Sequence, residues 1–227
     1  FHVKRGDEAL MKSQYEPARS AYKKALSLDG NYSPALSGLA AATAYEASRP
    51  GVSEQTKKQV LQEAVSQIEQ ALDNATSSAS RARAHSFAIQ VYLSLQLPRE
   101  EWYEKVKDHF EEAQELTPNN PAPVFYMAKA EAAGHNYNQA ALFYQKVLAQ
   151  GGKFEARANK ELKRIQRIQR ALPSSGFGKR IANVEKITRA DVAGLFIVEL
   201  KLDRLYRDQQ KKKGSGFNMG QRQVFLN

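Results

Sequence analysis

Apolar residues recur at intervals of three and four along most of the chain, which is the period of amphipathic helices. The clearest unit spans 34 residues, from Pro121 to Phe154. Its pattern predicts a helix from Val124 to Ala133, a turn at Gly134-His135-Asn136 and a second helix from Tyr137 to Gln150. Gly151-Gly152 should end the second helix, because glycine adopts the positive φ of a helix C-cap without strain.

Small and bulky residues alternate in this unit in a way that suits two helices in close contact. Ala128 and Ala140 are small, whereas Tyr137, Tyr144 and Val147 can fill the space around them. The same spacing recurs at the start of the chain, where Gly6, Ala9, Tyr15, Ala18, Tyr22 and Ala25 match Ala128, Glu131, Tyr137, Ala140, Tyr144 and Val147. Four of these six pairs keep the same size class, and Ala25 is close to Val147. The chain therefore contains an internal repeat of helix pairs.

Two further helix pairs are predicted between these units. The first pairs residues 34–47 with residues 54–74 across a loop, and the second pairs residues 81–95 with residues 101–116 across a break at Pro98. An amphipathic helix should follow over residues 157–172, with apolar residues at every third or fourth position and cations between them.

These residues resemble the tetratricopeptide repeat family, with four units over residues 1–152 and insertions in units two and three. The resemblance implies an all-α fold: an α-solenoid of helix pairs in a curved, right-handed array, closed by the capping helix 157–172. A break at Pro173–Gly178 predicts two domains, residues 1–172 and a small helical C-terminal segment with a basic tail at residues 173–227.

The family resemblance also implies where a partner would bind, because stacked helix pairs form a concave surface lined by the first helix of each pair. Carried over by position, the lining residues are Asp7, Leu10, Ser37, Ala41, Tyr45, His85, Ile89, Tyr92, Phe125 and Lys129. This lining lacks the Lys/Arg clamp with which some family members hold a C-terminal carboxylate. It favours an extended or helical protein segment with apolar anchors. Alternatively, these residues belong to the core or are covered by the chain's own C-terminal segment.

A second motif lies at Ile187-Thr188-Arg189-Ala190-Asp191, where Thr188 should cap a helix that runs to about Leu202. It resembles the second half of an S-layer homology module, although no upstream half precedes it. The resemblance implies that Arg189 lies near a pocket for cell-wall polymer. The alternative is an ordinary capped helix that packs through Val192, Leu195, Phe196 and Val198.

The net charge of +10 is concentrated at one end of the chain. Residues 1–152 carry 16 basic and 17 acidic side chains, whereas residues 153–227 carry 18 basic and 7 acidic ones. This asymmetry predicts a second function, the binding of cell-wall polymer, anionic lipid or nucleic acid, unless the region is a solvated tail. The candidate polyanion-binding residues are Lys163, Arg164, Arg167, Arg170, Arg189, Lys211, Lys212 and Lys213.

The sequence offers no recognisable catalytic chemistry. It has no cysteine, its four histidines are isolated in sequence, and it lacks a phosphate-binding loop and a Gly-x-Ser-x-Gly motif. We therefore predict a non-enzymatic scaffold or adaptor that binds a protein or peptide segment, without metal, cofactor or small-molecule substrate. Joined to the S-layer-like motif, the repeats suggest a lipid-anchored protein of the bacterial cell envelope or periplasm, with the cytoplasm as the alternative. The start at Phe1 suggests an excised piece.

Overall fold

The computed structural model describes residues 1–171, 175–182, 184, 187–199, 201, 202 and 204. Within these residues the chain forms helices and turns but no strand. The helices are α1 (His2–Met11), α2 (Tyr15–Leu26), α3 (Ser33–Ala47), α4 (Glu54–Asp73), α5 (Ser78–Leu95), α6 (Trp102–Leu116), α7 (Pro121–Ala133), α8 (Tyr137–Gln150), α9 (Glu155–Ala171), α10 (Gly176–Ala182) and α11 (Arg189–Val198). The prediction of an all-α, solenoid-like fold is confirmed.

The chain divides into two compact units, Phe1–Arg167 and Ile168–Asn227. This division falls inside α9, whereas the sequence placed the boundary after residue 172. Residues 173 and 174 of the expected break lie outside the described residues, and Gly176–Gly178 belongs to α10. The prediction of a continuous break over Pro173–Gly178 is therefore wrong at its C-terminal end.

Helices of the first unit pack in two layers. The first helices of the four pairs, α1, α3, α5 and α7, each contact the next and form one layer. The second helices α2, α4 and α6 pack on their own first helix and on the first helix of the following pair. As a result α3, α5 and α7 are buried on nearly all sides, whereas α2, α4 and α6 bury a single stripe. We refer to α1, α3, α5 and α7 as the inner layer.

Local signals explain where several helices begin and end. Ser53, Ser77 and Asn120 accept hydrogen bonds from backbone N–H groups of the first turns of α4, α5 and α7. Gly151 and Gly152 have φ angles of 69° and 85°, as the sequence predicts for the end of α8. The turn at Gly134–Asn136 and the bounds of α8 are also confirmed.

Tyr22 of α2 is the main packing residue between the first two helix pairs. Its ring is fully buried between Gly6 of α1 and Gly38 of α3. A Cβ atom at Gly6 would lie 2.5 Å from Cε1 of Tyr22, and one at Gly38 would lie closer still to the ring. Only glycine therefore allows these two helices to approach the ring from both sides.

In the second unit, α10 packs against α11, and Gly194 lies so close to the ring of Phe177 that a Cβ atom would clash with it. Thr188 caps α11 as predicted, and the side chain of Asp191 completes a capping box with it. However, α11 ends at Val198 and not near Leu202, and Lys201 has a positive φ of 50°. No residue of α11 is buried. None of the helices in the described part of the chain is long and apolar enough to cross a membrane.

Candidate functional site

The inner layer of the first unit encloses a recess of about 150 Å³. Its walls come from α1, α5, α7 and the connection between α8 and α9, so three of the four helix pairs contribute first-helix residues to it. The lining residues are Asp7, Leu10, Met11, Arg83, Ser86, Phe87, Gln90, Asn120, Ala122, Tyr126, Lys153 and Phe154. The sequence predicted two of them, Asp7 and Leu10, as partner contacts.

Four other predicted lining residues lie inside the protein. The exposed fractions of Ser37, Ala41 and Ile89 are 0%, and that of Phe125 is 1%. Because α3, α5 and α7 are covered on both faces, the face that the family pattern assigns to a groove is occupied by neighbouring side chains. This corrects the prediction that these four residues line a groove open to a partner, since enclosed side chains cannot contact one.

His85 and Tyr92 are each 8% exposed and also lie away from the recess. Nδ1 of His85 is 3.0 Å from Nδ1 of His109 on α6, and the His109 ring stacks on Tyr92 with a centroid distance of 5.7 Å. Tyr92 and His109 border a second cavity of about 240 Å³ between α4, α5 and α6. These two histidines are isolated in sequence, but the fold brings them together.

The pKa values of both histidines are lowered. Burial is the largest cause for His109, followed by the neighbouring His85, and together they lower its pKa to about 4. Burial also lowers the pKa of His85. No group of three or more His, Cys, Asp or Glu side chains suited to a metal ion occurs within the described ranges. Burial of the two rings therefore favours the neutral form of both imidazoles.

One ion pair connects three helix pairs at the edge of the recess. Arg83 of α5 donates to both carboxylate oxygens of Asp7, from Nη1 at 3.1 Å and from Nη2 at 2.7 Å. The hydroxyl of Tyr22 donates to the same carboxylate at 2.7 Å, and Arg83 also donates to the carbonyl oxygen of Pro34 at 3.3 Å. Asp7 is thus engaged inside the fold, and its negative charge is offset by Arg83.

Arg83 was not among the predicted site residues, although the sequence carries a signal for it. Arg83, Phe87 and Gln90 follow the i, i+4, i+7 spacing of one helix face, and the structure places all three against the recess. The guanidinium group of Arg83 lies 4.6 Å from the centre of the Phe87 ring. A cation on an otherwise apolar helix face often has a carboxylate partner, but sequence spacing does not reveal that the partner is Asp7, 76 residues away.

Tyr45, another predicted contact, lies in a cluster of tyrosines. Its ring stacks on Tyr15 at a centroid distance of 5.3 Å and an interplanar angle of 8°, and its hydroxyl donates to Oε1 of Gln90 at 3.3 Å. Burial, reinforced by the nearby Tyr126 and Tyr15, raises the pKa of Tyr45 well above its ordinary value. Tyr45 therefore supports the wall of the recess, because its hydrogen-bond partner Gln90 is one of the lining residues.

Lys129 lies on the α7 face that also carries Ala122 and Tyr126, one turn beyond the recess. Burial lowers the pKa of Lys129, and the neighbouring Arg157 and Arg164 lower it further, whereas Glu161 opposes them. The guanidinium group of Arg157 lies 4.8 Å from the centre of the Phe125 ring. Nη1 of Arg157 is buried and has no hydrogen-bond partner in the described structure. This end of the inner layer therefore carries more positive than negative charge.

The polyanion-binding residues proposed from the sequence fall into three groups. Lys163, Arg167 and Arg170 are exposed on α9, opposite its buried residues, whereas Arg164 is half-buried and pairs with Glu161 at 3.6 Å. Arg189 is exposed at the start of α11. Lys211, Lys212 and Lys213 lie outside the described residues.

Comparison of the chain with protein-family models and with curated proteins gives no match. The tetratricopeptide and S-layer homology resemblances therefore stay predictions that depend on the residue patterns described above.

Proposed function

We propose that the first unit is a protein-interaction module of the tetratricopeptide type, and that its inner layer holds a segment of a partner protein. The chain then acts as a non-enzymatic scaffold or adaptor. The observation that supports this function is the recess, because a concave, mainly apolar surface with a few polar groups is the usual form of a binding site. The location of the chain in a bacterial cell envelope stays a prediction, which is based on the S-layer-like motif.

The recess provides both kinds of contact that such a site needs. Leu10, Met11, Phe87 and Phe154 offer apolar surface, and Asn120 adds a polar group at the start of α7. Its walls are held by buried packing and by the Asp7–Arg83 ion pair, so a partner would meet a preformed surface. A preformed site binds more tightly, because less side-chain entropy is lost on binding.

Substitution of Ala122 tests this function. Ala122 is half-buried at the recess, so Ala122→Phe should fill the recess while sparing the core. Peptides are first selected with the 227-residue chain from a random display library, and their affinities are then measured by fluorescence anisotropy. We expect Ala122→Phe to weaken binding at least about tenfold, the loss associated with one well-buried anchor.

Ala156→Phe is the matched control, because Ala156 is exposed on α9 and does not line the recess. Its affinity for the selected peptides should equal that of the unsubstituted chain. Equal binding by both variants would show that the peptides bind elsewhere and would remove the inner layer from the proposal. Circular dichroism of each variant confirms that helix content is unchanged.

The basic face of α9 favours a second function, the binding of a polyanion. Lys160, Lys163 and Arg167 are all exposed, and their spacing of three and four residues places them on one side of the helix. None of the three forms an ion pair within the part of the chain that is described. Cations arranged in this way can bind the regularly spaced charges of a polyanion.

Salt dependence tests this second function. The affinity for a labelled heparin oligosaccharide is measured over a range of salt concentrations, for the unsubstituted chain and for Lys163→Glu/Arg167→Glu. We expect the substitutions to reduce the slope of log K against log salt by about two, one for each lost contact. The control Lys23→Glu/Lys24→Glu alters two exposed cations of α2 and should leave the slope unchanged. Equal slopes for all three proteins would contradict the role of α9.

A further inference from the structure

The recess has the size and lining of a pocket for one aromatic ring. Its volume is about 150 Å³, and a cavity of about this volume is known to accept benzene. Phe87 and Tyr126 are each 7% exposed and Phe154 is 3% exposed, so these rings form fixed walls. Aromatic rings pack favourably edge to face against one another, so a recess with aromatic walls favours an aromatic ligand.

Among the described residues, the charged groups at the recess leave one cation without a carboxylate partner. Both oxygens of Asp7 already accept hydrogen bonds from Arg83, and one also accepts from Tyr22. Lys153 is exposed at the recess, and its Nζ lies 5.3 Å from the centre of the Phe154 ring. It forms no ion pair with any described carboxylate. A ligand in the recess therefore meets a net positive charge.

A second source of positive charge lies on the same side of α7. Lys129 follows Tyr126 by three residues, which places it about 4.5 Å further along the helix axis. Burial, followed by the nearby Arg157, lowers the pKa of Lys129, whereas Glu161 opposes them. A carboxylate brought close to Lys129 and Arg157 would stabilise both cations.

We infer that the recess receives one aromatic side chain from an acidic partner segment, and that Lys153 pairs with a carboxylate next to that side chain. This inference rests on the proposed function and specifies the chemistry of the partner. The aromatic ring supplies apolar contact with Phe87, Tyr126 and Phe154. The carboxylate supplies selectivity, because an amine at the same place would be repelled by Lys153.

Two small probes that differ in charge test this inference on the full chain. 3-Phenylpropionate and 2-phenylethylamine both carry one phenyl ring, but the first is an anion and the second a cation at neutral pH. Their binding is followed by the chemical-shift changes of backbone amides. We expect 3-phenylpropionate to shift the amides of Ala122, Tyr126 and Phe87 and to bind roughly fivefold more tightly than the amine, consistent with one exposed ion pair and one removed repulsion.

Lys153→Glu should abolish or reverse this preference. Lys146→Glu is its matched control, because Lys146 is also exposed and lies 5.2 Å from the centre of the Phe143 ring, yet it does not line the recess. The control should keep the preference for the anion. Equal affinities for the two probes, shifts confined to other parts of the protein, or the same effect of both substitutions would overturn the inference.

These results remain distinguishable from failure of the proposed function. If selected peptides lose affinity in Ala122→Phe but neither probe shifts the recess amides, the inference fails and the proposed function stands. If the anionic probe binds in the recess but no peptide does, the recess chemistry is correct and the function as a protein-interaction module is wrong.

Discussion

Gly38→Ala is expected to lower the free energy of unfolding by about 3 kcal/mol, the upper part of the range for overpacking a close-packed core. Its new methyl group would overlap the ring of Tyr22, which is fully buried. The ring cannot rotate away easily, because Gly6 supports its other face and its hydroxyl donates to Asp7. Alanine's higher helix propensity recovers at most about 1 kcal/mol of the cost.

Chemical denaturation of three variants measures this effect. Gly6→Ala should also be destabilising, because its Cβ atom would lie 2.5 Å from Cε1 of Tyr22. Gly30→Ala is the control, because the nearest atom to its Cβ would be 3.9 Å away. We expect Gly30→Ala to unfold at nearly the same urea concentration as the unsubstituted chain. Equal stability of Gly38→Ala and Gly30→Ala would mean that α1, α2 and α3 do not pack around Tyr22 as described.

Acid should destabilise the first unit through the His85–His109 pair. Burial first, and the neighbouring His85 second, lower the pKa of His109 from 6.5 to about 4. Between these two pH values the unfolded chain takes up a proton that the folded chain excludes, so stability is full above pH 6.5 and falls as the pH falls. Since one pKa unit corresponds to about 1.4 kcal/mol and His109 is partly exposed, we expect a loss of about 2 kcal/mol between pH 7 and pH 4.

Charged neighbours modify the pH dependence of stability, but stability still falls as the pH falls. Asp108 opposes the lowering of the His109 pKa, whereas Lys105 reinforces it. Glu112 and Arg81 act in the same opposed way on His85. Below about pH 4 the folded chain also binds the proton at His109, so this contribution levels off.

The double variant His85→Gln/His109→Gln separates this effect from the titration of carboxyl groups. Urea unfolding of the variant and of the unsubstituted chain is measured from pH 7 to pH 4, and the difference in stability between the two proteins is followed. This difference should shift in favour of the variant as the pH falls. A constant difference would contradict the assignment, whereas His2→Gln, which leaves the pair intact, should retain the pH dependence of the unsubstituted chain.

Helix boundaries were predictable where residues close to the helix end mark it in the sequence. The bounds of α8 follow from a periodic apolar stripe and from Gly151-Gly152. Both signals lie within the helix or directly after it, so they do not depend on distant contacts. The N-cap at Thr188 was predictable for the same reason. The end of α11 was not, because the apolar pattern continues beyond Val198 and no glycine or proline marks the stop.

The inner layer was only partly predictable because its shape depends on contacts between distant helices. Ser37 and Ile89 occupy the positions that the repeat pattern assigns to a concave surface, yet both have no exposed surface. A periodic sequence shows which faces of α3 and α5 are apolar. It does not show how closely successive helix pairs approach, which decides whether those faces line a groove or pack inside the unit.

Pairs of residues far apart in sequence account for the other differences between the predicted and the observed site residues. Asp7 and Arg83 lie in different helix pairs, and His85 and His109 lie on different helices, so no local spacing links either pair. Lys153 lies between α8 and α9, outside the repeat positions that guided the prediction of lining residues. Its place at the recess follows only from the fold.

A crystal structure of the chain bound to a peptide selected from the display library decides whether the inner layer is the binding surface. We expect the peptide to lie against the inner layer, with one of its aromatic side chains between Phe87, Tyr126 and Phe154. A peptide bound to the outer faces of α2, α4 and α6, with the recess left empty, would contradict this expectation.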